Sequence, residues 1–75
     1  VQLLTRPGCH LCEDARAVVA SVCAELSVEF EELDISGDER LAREYGEQIP
    51  VTIVDGDQHD FWRVSPDRLR AALQR

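Results

Sequence analysis

TRPGCHLCEDA, residues 5–15, joins an apolar stretch to an amphipathic one, and both flanks can be read outward from it. Upstream, residues 1–5 (VQLLT) are apolar enough for a short buried strand. Arg6-Pro7-Gly8 ends it, because proline fixes φ and glycine permits a tight turn. Downstream, residues 9–26 read CHLCEDARAVVASVCAEL. Val18, Val22 and Leu26 recur at i, i+4 and i+8, with Ala15, Val19 and Cys23 beside them, which predicts a helix with one apolar face. Glu13 and Asp14 lie in its first turn, where the helix dipole favours acids. The C-x-x-C of Cys9 and Cys12 thus stands at a strand-to-helix junction.

Residues 28–35 read as a second strand. Val28 and Phe30 alternate in one phase, Leu33 and Ile35 in the other, which predicts a bulge near Glu31-Glu32. Gly37-Asp38 opens a short helix carrying Leu41, Ala42 and Tyr45, with Gly46 as a left-handed stop. Gln48-Ile49-Pro50 leads into a third strand at residues 51–54 (VTIV). Asp55-Gly56 is a hairpin signal, and residues 58–62 return as a fourth strand. Ser65-Pro66-Asp67 reads as N-cap, proline at the first helical position and first-turn acid. Leu69, Ala72 and Leu73 give that last helix its apolar stripe. The order β-α-β-α-β-β-α, with a right-handed parallel crossover at its start, predicts an α/β fold. Its mixed four-stranded sheet carries helices on both faces.

The 75 residues make one domain, 1–75, with a core near the lower limit of independent folding. A net charge of −7 argues against nucleic acid and against an anionic membrane surface. No apolar run approaches the roughly 20 residues of a membrane helix, and no signal-peptide pattern is legible. All eight basic residues are Arg, so any local cation must be Arg or His. Three cysteines, an odd number, do not suggest a secreted disulfide scaffold. They fit a reducing compartment, the cytoplasm, and a monomer is the default.

Thiol exchange needs an exposed thiolate and a second thiol within reach of the mixed disulfide it forms. C-x-x-C at a helix start supplies both. Cys9 lies at the exposed end near unpaired main-chain N–H groups, so it is the expected nucleophile, and Cys12 the resolving thiol. Arg6 adds positive potential, as does His10 when protonated; Glu13 and Asp14 oppose them. The same pair is also half of a zinc or soft-metal site. Ile49-Pro50, before an apolar strand, reads by itself as a structural proline.

Taken together, TRPGCHLCEDA, YGEQIPVTIVDG (residues 45–56) and the Ser65-Pro66 helix resemble the small glutaredoxin-like proteins of bacteria, over essentially the whole chain. The resemblance implies a thioredoxin-like, glutaredoxin-type fold and a thiol–disulfide oxidoreductase acting on a disulfide-containing protein or small thiol. No cofactor is bound; glutathione, another low-molecular-weight thiol or a reductase supplies electrons. Cys9 maps to the family's nucleophile and Arg6 to its upstream basic residue. Pro50 maps to its cis-proline, facing the cysteines, and Ile49 to the residue whose backbone holds the substrate. Two departures stand out. His10-Leu11 replaces the usual Pro-Tyr between the cysteines, at a substrate-facing position. Trp62-Arg63-Val64-Ser65 replaces the Gly-Gly whose amides approach glutathione. Ser65 offers a substrate contact or simply a helix cap.

Cys23, Phe30, Tyr45, Phe61 and Trp62 read as core, Trp62 being nearest the active face. His59 and the acids Glu29, Glu31, Glu32 and Asp34 read as solvated. Two other function classes use the same residues. A metallochaperone-like module would bind a soft metal through the Cys pair, but such domains end on a strand, and this chain ends on a helix. A non-enzymatic adaptor would present its acidic surface and be indifferent to Cys9.

Overall fold

A computed structural model describes residues 1–74. The strands are β1 (Gln2–Thr5), β2 (Glu31–Asp34), β3 (Val51–Val54) and β4 (Asp57–Phe61); the helices are α1 (His10–Leu26), α2 (Glu39–Tyr45) and α3 (Pro66–Leu73). A single 3-10 turn, Ile35–Gly37, leads from β2 toward α2. The sheet order is β2-β1-β3-β4, with β1 and β2 parallel and the other pairs antiparallel.

Strand β1 has no polar face because the sheet is covered on both sides and successive side chains alternate between them. Leu3 joins Ala15, Val19, Val22, Cys23, Val64 and Leu69 between the sheet and α1 with α3. Leu4 joins Cys12, Ile35, Ile49 and Val51, with Leu41 and Tyr45 of α2 against them. Cys23 is buried in the first core, where a free thiol packs as a small hydrophobe.

The helix ends follow local chemistry. Asp38 caps α2 by accepting the Leu41 N–H at 3.0 Å, and Ser65 caps α3 by accepting the Arg68 N–H at 3.3 Å. Helix α1 stops at Ser27, which takes a left-handed φ of 57° while the Val28 N–H returns to the Cys23 carbonyl at 2.8 Å.

Three expectations are corrected. β2 begins only at Glu31 and runs in unbroken register with β1, so there is no bulge at Glu31-Glu32. Val28 and Phe30 lie before the strand, packed on the first core, and this accounts for the change of phase. The irregularity in the sheet lies instead between Thr52 and Ile53, opposite β4. Gly46 is right-handed (φ −56°), not left-handed. Glycine suits it for another reason, since a Cβ there would lie 2.3 Å from the Ala42 carbonyl oxygen.

Leu69 has no exposed surface and ties α3 to the first core. Leu69→Ala should destabilise the fold by about 2–5 kcal/mol, read as a lowered urea midpoint by far-ultraviolet circular dichroism. An unchanged midpoint would mean that α3 packs independently of Leu69.

Candidate functional site

Gly8, at φ +76°, turns the chain out of β1 in a conformation that side-chain-bearing residues seldom adopt. The turn delivers Cys9 as an extended N-cap (φ −96°, ψ 113°) at the start of α1. Helix N-caps usually present an oxygen. Here the Cys9 sulfur takes that place, accepting the main-chain N–H of Cys12 at 3.2 Å. Cys9 is half-buried, whereas Cys12 is 1% exposed and packed among Leu4, Ile35, Ile49 and Val51.

Burial, above all, pushes the Cys12 thiol up to about 11 from 9.0; a hydrogen bond with the Cys9 side chain and repulsion from its charge add to this. A main-chain hydrogen bond from Arg6 and the charge of Arg16 pull the other way. The two thiols are therefore unlike: one accessible and at a helix N-terminus, the other buried and protonated.

The Ile49–Pro50 peptide is cis. Both residues are buried, and Ile49 shares a core cluster with Cys12, against which Cys9 also packs. This segment is tied to the chain just after β4. The Trp62 main-chain N–H donates to the carbonyls of Pro50 (2.8 Å) and Gln48 (3.3 Å), and its indole N–H to that of Glu47 (2.9 Å). Gln58 Nε2 donates to Gln48 Oε1 at 2.7 Å.

The other expected site residues are distributed as follows. Arg6 and His10 are exposed. Leu11 is half-buried and lines a groove with Ala15, Val18, Trp62 and Val64. The Ser65 hydroxyl is engaged in capping α3 and does not line that groove.

Phe61 and Trp62, expected in the core, are 46% and 52% exposed, their rings edge to face with centroids 5.1 Å apart. Trp62 adopts a left-handed φ of 63°, which turns its side chain outward where the strand ends. The position directly after β4 was the one sequence signal for it. His59, expected to be solvated, has a buried Nε2 without a hydrogen-bond partner and lines a separate depression at the hairpin end. The acids of β2 are not merely solvated. Glu32 takes a bidentate hydrogen bond from Arg16, with 2.8 Å between Arg16 Nη2 and Glu32 Oε2, and another from Thr5 Oγ1 at 3.1 Å. Those bonds hold its carboxyl below the usual range. No group of three or more His, Cys, Asp or Glu is placed to hold a metal among the described residues. No described helix is long and apolar enough to cross a membrane.

Comparisons with known proteins bear on the family and the fold. The family model described as Glutaredoxin-like domain (DUF836) matches residues 1–74. An uncharacterized protein of Mycobacterium tuberculosis is 35% identical over 80 residues, covering all of this chain and 82% of that protein. An uncharacterized protein of Mycobacterium bovis matches to the same extent. Among solved structures, a structural-genomics target protein from X. campestris superposes with a TM-score of 0.80 at 30% identity, over 97% of this chain and 93% of its own. Thioredoxin 1 from Thermosipho africanus gives 0.66 at 9% identity over 97% and 88%, a likeness of fold alone. The fold is thioredoxin-like.

The buried Cys12 thiol has a testable linkage. Its folded-state value lies above its unfolded one, so the native state holds this proton more tightly. The associated stability is complete below about pH 9 and is lost as pH rises toward 11. The urea midpoint of the reduced protein should fall as pH rises from about 9 to about 11, and Cys12→Ser should flatten that fall. An equal fall in Cys12→Ser would assign it to other groups.

Proposed function

We propose that this chain, which belongs to the glutaredoxin-like domain family, is a thiol–disulfide oxidoreductase with Cys9 as nucleophile and Cys12 as resolving thiol. The observation that carries the reading is the unequal burial of two free cysteines three residues apart at one helix start.

The Cys9 thiolate attacks one sulfur of a substrate disulfide. A bond forms between Cys9 and that sulfur, the substrate S–S bond breaks, and the departing thiolate takes a proton from solvent. Cys12 then gives up its proton and attacks the Cys9 sulfur. The second substrate thiolate leaves and is protonated, and Cys9–Cys12 becomes a disulfide. The substrate gains two electrons and two protons, and the protein loses the same. Two equivalents of a low-molecular-weight thiol, glutathione or another, or one protein dithiol, return it to the reduced state. A reducing compartment such as the cytoplasm suits that cycle.

Each half-step has a structural support. Cys9, half-buried at the N-cap of α1, is the thiol of the pair open to a substrate disulfide. The high value of Cys12 keeps it protonated, so it does not compete with Cys9 in the first attack. Ile49, beside the pair, is the candidate for backbone docking of the substrate, and Arg6, His10 and Leu11 are candidates for contact around it.

The assignment of roles is tested with single substitutions. Cys9→Ser keeps a good N-cap and should fold, yet lose all disulfide reduction. Cys12→Ser should retain the first attack and accumulate a mixed disulfide with the substrate, detected as the added mass of one substrate thiol. Equal trapping by both variants would reject the assignment, and full turnover in Cys9→Ser would reject Cys9 as the nucleophile.

A further inference from the structure

The thiol chemistry leaves one surface beside the cysteines without a task. It is the groove between the first turns of α1 and the chain that follows β4. Ala15 and Val64, both buried, form its floor; Val18, Leu11 and the half-exposed indole of Trp62 form its apolar sides. Leu11 lies between the two cysteines in sequence, and Trp62 donates to the Gln48 and Pro50 carbonyls, so each side of the groove carries a residue joined to one half of the redox site. A half-exposed tryptophan in a left-handed conformation, held by three hydrogen bonds, is a costly way to end a strand unless its ring has something to meet.

Volume and charge narrow the occupant. The groove holds about 200 Å3, below the roughly 300–1,000 Å3 of sites that enclose a free small ligand. It fits one side chain of something held elsewhere as well. Arg63, on the loop side of the groove, joins no ion pair among the described residues, nor do Arg6, Arg40 and Arg43; of these four only Arg63 lines the groove. In a chain of charge −7, an unpaired arginine lining the groove is complementary to a carboxylate. Asp14, on the helix side, repels a carboxylate there and so directs it toward Arg63.

We infer that this groove selects protein disulfides, receiving an apolar side chain next to the substrate's oxidised cysteine, with an adjacent carboxylate at Arg63. Trp62 and Arg63, standing where the resemblance leads one to expect Gly-Gly, are then specificity residues. The inference deepens the proposed reaction, but binding itself does not depend on it, and the two can be tested apart.

Trp62 is the chain's one tryptophan, so its emission reports the groove directly. The probes are blocked hexapeptides with a methylthio-capped cysteine, flanked by Leu and Glu in one and by Ser and Lys in the other. With the protein carrying Cys9→Ser and Cys12→Ser, the Leu/Glu peptide should shift Trp62 emission to the blue and saturate. The Ser/Lys peptide should bind at least about tenfold more weakly. With the unaltered protein, kcat/KM for removing the methylthio group should favour the Leu/Glu peptide by a similar factor, and Arg63→Glu should reverse the preference for Glu over Lys. Saturable binding without turnover would sustain the groove while rejecting the redox reading. Turnover with no preference between peptides and no emission change would reject the groove while sustaining the chemistry. Glutathione disulfide shifting Trp62 and displacing the Leu/Glu peptide would overturn the protein-substrate assignment in favour of a small thiol.

Discussion

The main-chain N–H of Cys12 points at the sulfur of Cys9, and most of the molecule can be ordered around that one bond. It terminates the turn set by Gly8, begins a seventeen-residue helix, and fixes which thiol faces out and which faces in. Everything downstream inherits the choice. A helix started there lays Ala15, Val19, Val22 and Cys23 against the sheet, and α3 packs on the same core through Leu69. The reactive atom is consequently a structural atom, and its cap strengthens when the sulfur carries charge.

Cys12 sits where this architecture is most constrained, at the meeting of α1 with the core that α2 covers. Its desolvation is a by-product of packing and needs no dedicated catalytic group. The opposing wall is fixed from the far side of the sheet. Trp62 spans the carbonyls of residues 47, 48 and 50 with two donors, so the loop before β3 cannot move without the end of β4. The loop carrying buried Ile49 and Pro50 is thereby fixed to the end of β4, and Ile49 meets Cys12 in the second core.

What the sequence disclosed, and what it withheld, divide along the range of the interactions. Caps, turns and periodicity are local, so α1, the Asp55-Gly56 turn with both residues at positive φ, and the Ser65-Pro66 start of α3 are legible from residue order alone. The C-x-x-C at a helix start was equally legible for the same reason. Positions whose fate depends on distant partners were not. Val28 and Phe30 look like strand residues because apolar alternation does not reveal whether a ladder partner is present. Gly46 looks like a left-handed stop, although what it avoids is a clash with Ala42. Trp62 looks like core because its bulk is visible in the sequence, while the three carbonyls that hold it outward belong to a loop more than ten residues earlier.

The sheet has two free edges, and both are acidic. Glu31, Glu32 and Asp34 lie along β2, and Asp57 and Asp60 along β4. An open edge is a template for the edge of another copy, and strands of like charge discourage that pairing. Edge strands of four and five residues limit the template further. Part of the surplus of carboxylates that makes the chain so acidic thus lies along the rims of the sheet, where like charges disfavour edge-to-edge pairing. Acidification removes that repulsion, and it is there, more than in the cores, that the molecule is open to self-association.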